Sequence, residues 1–214
     1  MADKKRPRRT RERILETSLA LFNRSGAPQV TTTDIADELD ISPGNLYYHF
    51  RNKDEIVGEL FAACEARLLP LLVDPGERAI GVEDLWLWLH LLFERLWEYR
   101  FLFRDIDALT GGDHRFGMRF GELLRRCIAT VSALCRNMVG TRTMAASERE
   151  IGALAQNAVL VSTYWPSFDR VRRASREAPA ADAGRAAYQV LALFAPYLVG
   201  DARRQLDRLA ADYL

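Results

Sequence analysis

The chain has 214 residues, 49% of them apolar and 28% charged, and a formal net charge of +1. That composition is globular with a sizeable core, and it excludes collagen-like or wholly disordered polymers. The longest near-apolar run, residues 85–93, is about half the ~20 residues a membrane span needs, and no apolar segment follows the basic start. No membrane partner and a cytoplasmic setting are therefore expected.

Charge is unevenly spread. Residues 1–53 hold ten Lys/Arg and seven Asp/Glu, a balance of +3, and the remainder holds twenty against twenty-two, a balance of −2. Lys4, Lys5, Arg6, Arg8, Arg9, Arg11 and Arg13 form a basic arm, with the first eight or so residues expected to be disordered. Cys64, Cys127 and Cys135 are odd in number and lack CxxC spacing, which fits buried structural thiols in a reducing compartment.

Helical periodicity then dominates. In the first segment Ile14, Leu15, Ser18, Leu19, Leu21 and Phe22 share one face, and Gly26 with Pro28 ends it. Short helices are predicted over about 33–39 and 43–50. A fourth starts near Asp54, carries Pro70 as a kink, and stops at residues 74–76. Further helices are predicted over 82–100, a short piece closed by Gly111 and Gly112, 114–139, 147–171 and 185–211. An Ala/Pro/Gly-rich loop at 174–184 separates the last two. Period-2 alternation is absent, so the expected fold class is all-α.

The stretch 31–50, TTTDIADELDISPGNLYYHF, carries the strongest signal. Thr32 or Thr33 suits the N-cap of the second helix. Ile35 and Leu39 face one way, and Ala36 permits close crossing. Ser42 is a good N-cap, with Pro43 at the first helical position, where its missing N–H costs nothing. Leu46 and Phe50 face inward. This is a helix-turn-helix. Gly44, Asn45, Tyr47, Tyr48 and His49 are left outside, on a helix of major-groove width. Gly44 permits close backbone approach, Asn45 reads a base edge, Tyr47 and His49 donate to phosphates, and Tyr48 meets a thymine methyl. Lys53 adds a phosphate contact at the start of the fourth helix. The competing reading is an ordinary packed helix with half-buried tyrosines; the basic arm favours nucleic acid.

The run from Arg11 to Phe61 resembles the TetR family of bacterial transcriptional regulators. The resemblance rests on Ile14, Ala20, Phe22, Gly26, Thr31, Thr32, Ile35, Ala36, Leu46, Tyr47, His49, Phe50, Lys53 and Leu60 at fixed spacing, over roughly a quarter of the chain. It implies a three-helix DNA-binding head, taken as residues 1–53, and a helical effector-binding and dimerising body, 54–214. It also implies that Thr31, Thr32 and Thr33 touch DNA. Gly44 and Asn45 stand where the family varies, so the operator sequence does not follow.

The body offers no catalytic constellation, no phosphate loop and no cofactor motif, so an enzyme is not expected. His90 and Glu94 have metal-ligand spacing, but no second pair supports a site, and a histidine beside a solvated glutamate accounts for them. Aromatic residues crowd 86–103. They usually fill core space, yet so many large rings also suit an apolar pocket between helices. Trp86, Phe93, Trp97, Phe101, Phe120, Tyr164 and Trp165 are the candidate lining. The helices 147–171 and 185–211 are apolar on most sides and need cover, which the family resemblance supplies as a four-helix homodimer interface. The leading expectation is a repressor that binds double-stranded operator DNA as a dimer and is released by a small hydrophobic effector. The alternative is a DNA-binding regulator or architectural protein without an effector, with activation also open.

Overall fold

The computed structural model describes residues 5–172 and 183–210. Eleven α-helices occur among the described residues. They are α1 (Lys5–Ser25), α2 (Thr32–Glu38), α3 (Pro43–His49), α4 (Lys53–Leu68), α5 (Val82–Glu98), α6 (Arg100–Arg104), α7 (Ile106–Gly112), α8 (His114–Gly140), α9 (Glu148–Arg172), α10 (Ala183–Phe194) and α11 (Asp201–Ala210). The fold is all-α, and among the described residues the one β-type pairing is an isolated bridge between Met144 and Leu198.

The chain divides into two compact units, Met1–Ala66 with Tyr99–Met118, and Arg67–Glu98 with Arg119–Leu214. The first unit thus runs past residue 53, takes in most of α4, and adds α6 and α7. Its core holds Ile14 and Phe22 of α1, Ile35 and Ala36 of α2, Leu46 of α3 and Phe50 after it, with Ile56, Phe61 and Cys64 of α4, all 0–1% exposed. Phe101 joins them, its ring centroid 5.1 Å from that of Phe22, and Phe61 meets Phe116 at 4.9 Å. In the second unit α10 packs on α9 and α5, and α11 packs on α5. Val190, Leu191 and Phe194 of α10 and Leu85 and Leu89 of α5 are almost wholly buried. Asn137 of α8 anchors the chain entering α5: its Oδ1 accepts from Ile80 N–H at 2.8 Å, and its Nδ2 donates to the carbonyls of Gly76 and Arg78 at 3.1 and 2.9 Å.

Several boundaries differ from expectation for clear reasons. α1 begins at Lys5, so residues 5–8 of the basic arm are helical; Lys4 and the loop at 174–182 lie outside the described residues. α4 ends at Leu68, and Pro70 sits in a short 3₁₀ turn rather than kinking a longer helix. The expected helix 185–211 is two: Pro196 stands in a 3₁₀ turn after Phe194, and Gly200 takes φ 57°, a left-handed conformation that glycine adopts without penalty. Pro166, by contrast, lies within an unbroken α9.

Candidate nucleic-acid interface

The helix-turn-helix is built by caps at each end of two seven-residue helices. Thr31, rather than Thr32 or Thr33, is the N-cap of α2. Its Oγ1 accepts from Asp34 N–H at 3.1 Å, while Asp34 Oδ2 accepts from Thr31 N–H at 2.7 Å and from its hydroxyl at 2.8 Å. Three successive threonines all suit the position; the carboxylate three residues on selects the first, because only that pairing closes a reciprocal capping box. The two bonds from Thr31, the backbone one foremost, lower the Asp34 carboxyl below its ordinary pKa. α2 ends in a Schellman turn: Ile41 N–H bonds Ala36 C=O at 3.0 Å, Asp40 N–H bonds Asp37 C=O at 3.1 Å, and Asp40 takes φ 53°. Ser42 Oγ then accepts from Asn45 N–H at 3.2 Å, with Pro43 at the first turn of α3.

With Leu46 and Phe50 turned inward, α3 presents Pro43, Gly44, Asn45, Tyr47 and Tyr48 outward, the tyrosines 51% and 79% exposed. A Cβ on Gly44 would meet nothing nearer than Ser42 Oγ at 3.9 Å, so no packing within the protein demands glycine there. The Tyr47 hydroxyl lies 3.0 Å from Thr32 Oγ1, tying the two helices across their outer face. His49 is half-buried beside Tyr48; burial first, and the Arg11 charge second, hold its pKa below the ordinary value. Arg11 is a core-facing cation here, lying over the Phe50 ring at 4.6 Å and bonding Glu59.

Lys53 holds the connection between α1 and α2: its Nζ donates to the carbonyls of Ala27 at 2.7 Å and Val30 at 3.0 Å, and the ammonium, half-exposed, keeps a third N–H. Arg51, two residues earlier, is exposed, and its backbone N–H donates to Glu55 Oε2 at 2.8 Å. The sequence reading passed over Arg51; the signal was a basic residue directly after the last inward residue of α3. Thr31, Thr33 and Ser42 are exposed and Thr32 is half-exposed.

Of the predicted ligand-lining rings, Phe101 is 0% exposed and packs on Phe22 in the first unit. Phe93 and Phe120 are buried, and Trp86 and Trp97 are half-buried. Trp86 stacks on His90 at 5.5 Å, and His90 lies 3.6 Å from Glu94. On α9, Tyr164 is 40% exposed and Trp165 packs on Phe168 at 5.6 Å. The Trp165 Nε1–H is buried without an acceptor among the described residues. No group of three or more His, Cys, Asp or Glu suited to a metal occurs among the described residues, and no described helix is long and apolar enough to cross a membrane. Burial pushes the Cys127 and Cys135 thiols up to about 12, which leaves them protonated and inert.

Comparison with known proteins agrees with this geometry. A family model described as bacterial regulatory proteins of the tetR family matches residues 14–60, and one described as a bacterial transcriptional repressor, TetR, matches residues 64–206. The crystal structure of a TetR-family transcriptional regulator from Marinobacter aquaeolei superposes with a TM-score of 0.84 at 36% identity, over 95% of this chain and 98% of that one. A TetR family protein from S. coelicolor A3(2), at 17% identity and a TM-score of 0.69 over 97% and 98% of the two chains, shares the fold. The probable acrEF/envCD operon repressor of Escherichia coli is 36% identical over 53 residues, 25% of this chain and 24% of its own length, so the chain matches only about a quarter of that relative. The helix-turn-helix with its uncovered outer face and the two matches along the chain lead to one conclusion: this protein belongs to the TetR family and is a DNA-binding transcriptional regulator, not an enzyme.

Proposed function

We propose that the protein is a cytoplasmic, effector-responsive repressor that binds a pseudo-palindromic DNA site as a homodimer. The observation that carries the DNA reading is the outer face of α3: Gly44, Asn45, Tyr47 and Tyr48 are exposed, while Leu46 alone in that helix is buried. Asn45 is placed to bond a base edge, and the Tyr48 ring to lie against a thymine methyl. Tyr47, Thr31, Thr33, Ser42 and His49 are assigned to phosphates and register, and Arg51 also takes a phosphate role. The absent side chain at Gly44 lets the backbone approach closely.

The dimer reading is supported by α9, where Leu160, Tyr164, Phe168 and Val171 are 40–70% exposed at successive turns of one face. Apolar rows of that length require cover. A two-fold pair through this face would present two copies of α3 to successive major grooves. The effector reading is supported by the half-buried Trp86 and Trp97 and by the unpartnered Trp165 N–H, a donor suited to one acceptor on a mainly apolar molecule. Such a molecule would favour a conformer whose heads are wrongly spaced, lowering affinity for DNA.

Selection of duplexes from fragmented genomic DNA, followed by footprinting, tests the central reading. Wild type should protect a pseudo-palindrome, and Asn45→Ala should relax discrimination at one base position in each half-site. Protection of no sequence over random DNA removes the proposal. Quenching of tryptophan fluorescence by a compound that also releases the selected duplex supports the effector; release by a protein partner alone favours the regulator without a small-molecule effector.

A further inference from the structure

The connection between α1 and α2 is gripped from two sides by residues far away in sequence. On one side is Lys53, with Nζ on the carbonyls of Ala27 and Val30. On the other is Asp105, whose Oδ2 accepts from Ala27 N–H at 2.8 Å across a separation of 78 residues. Asp105 is itself held by Arg104, whose Nε lies 3.0 Å from Asp105 Oδ1, and the two side chains are only 12–13% exposed. Arg104 also donates to the carbonyls of Phe22 at 2.6 Å and Asn23 at 3.0 Å, the closing turn of α1. Gly26 sits against this pair at φ 98°; a Cβ there would meet Arg104 Nη2 and Asp105 Oδ2 at 3.4 Å.

We infer that Asp105, steadied by Arg104, is a positioning residue for DNA binding: it fixes residues 26–30, and with them the start of α2, from a segment outside the helix-turn-helix. The inference rests on the DNA-binding reading above and deepens it. Val30 is followed at once by Thr31, the N-cap of α2, and α2 is joined to α3 by the Thr32–Tyr47 contact. A shift in the connection is therefore passed along two peptide units to Thr32, and from Thr32 to the outer face of α3 through one hydrogen bond. A carboxylate suits the task because a charge-assisted bond to a backbone N–H is about twice as strong as a neutral one. Its burial makes the loss of either partner costly. In this arrangement α6 and α7 are part of the DNA-binding unit, and the recognition surface is not complete in residues 1–66.

The test uses the full chain, a duplex selected by wild type from genomic fragments, and a temperature well below each variant's unfolding midpoint. Asp105→Ala should weaken binding to that duplex at least tenfold. It should also speed hydrogen exchange at the amides of Thr31–Ile35, while exchange at the body helix α11 stays unchanged. Asp105→Asn keeps an acceptor of the same shape without the charge, so it should lose about threefold and show the same exchange pattern in weaker form. A merely structural role would lower the midpoint and leave affinity alone. A folded Asp105→Ala protein with wild-type affinity overturns the inference; if that variant does not fold, wild-type affinity and exchange in Asp105→Asn overturn it. Wild type that selects no duplex removes the DNA reading and this inference together, which separates the two failures.

Discussion

The outer faces of α3 and α9 are both exposed among the described residues, and they differ in what they ask of a partner. The outer face of α3 is short and polar at its tips, with Asn45 and two tyrosine hydroxyls; the outer face of α9 is long and apolar, with Leu160, Phe168 and Val171. A seven-residue helix has no stability of its own. α3 exists because Ser42 caps it and Leu46 and Phe50 anchor it, and among the described residues its outward tyrosines meet only short polar or ring neighbours, Tyr47 on Thr32 and Tyr48 on His49. α9 is 25 residues long and already buries Ile151, Leu154, Ala155, Ala158 and Val159 on its other side. Its remaining apolar row stays 40–70% exposed among the described residues, with Phe168 meeting Trp165 at 5.6 Å. A polar exposed face points to a hydrated, charged partner such as DNA, and an apolar one to a second apolar surface.

The comparison is broken most severely by destroying what lies beneath one of the faces. Phe194→Asp, or Leu191→Asp, places an unpaired charge at a site 0–1% exposed in the body core. We expect a loss of several kcal/mol and a largely unfolded second unit, read by circular dichroism. The surface counterpart is Phe168→Asp. With Phe168 58% exposed, helical content should be kept, while the species at micromolar concentration shifts from dimer to monomer in sedimentation. Wild type that sediments as a monomer under those conditions ends the argument from the α9 row.

On the α3 side the effects are smaller and concern DNA. Asn45→Ala should cost about 1–3 kcal/mol of discrimination at one base pair, the usual worth of a good base contact. Arg51→Met should weaken binding to all sequences alike and reduce the slope of log K against log salt by about one. Lys53→Met should instead lower the unfolding midpoint, because it strips two carbonyls of their donor, and leave the salt slope in place. If Lys53→Met alters the slope and Arg51→Met does not, the roles given to these two cations are reversed.

What was legible in the sequence divides along the same line. The head was readable because its determinants are local: Ser42 before Pro43, inward residues four apart, glycine after the last turn of α1. Even there, the tie between Ala27 and Asp105 was invisible, since nothing local announces a partner 78 residues away. It is this non-local contact, with Phe101 against Phe22, that brings α6 into the first unit. Lys53 shows the same limit: a lysine opening a helix after the recognition helix suits a phosphate, and only the fold shows that the carbonyls of Ala27 and Val30 are also within its reach. In the body, periodicity located the long helices but not their interruptions. Pro166 and Pro196 look alike in sequence, yet α9 runs through the first and α10 stops before the second, where Gly200 follows to turn the chain.

The smallest effect expected is at the cap of α2, and it carries a pH signature. Thr31→Ala removes the hydroxyl that meets Asp34, at a cost of about 1 kcal/mol for the lost N-cap. Hydrogen bonds from Thr31 hold the Asp34 carboxyl below its ordinary value of 3.8, so the folded state favours the ionised form more than the unfolded state does. The stabilisation is then fully present at neutral pH and remains so down to the ordinary carboxylate value. It is lost below that value, as the pH falls through the depressed folded pKa. Wild type should therefore lose stability in this acid window more steeply than Thr31→Ala, in which Asp34 has fewer donors to lose. Unfolding midpoints compared near neutrality and at pH ~3 measure this directly. Two curves that stay parallel across that range would show the Thr31 hydroxyl to be without energetic weight in the pairing, and the Asp34 carboxylate to be held by the Thr31 backbone N–H instead.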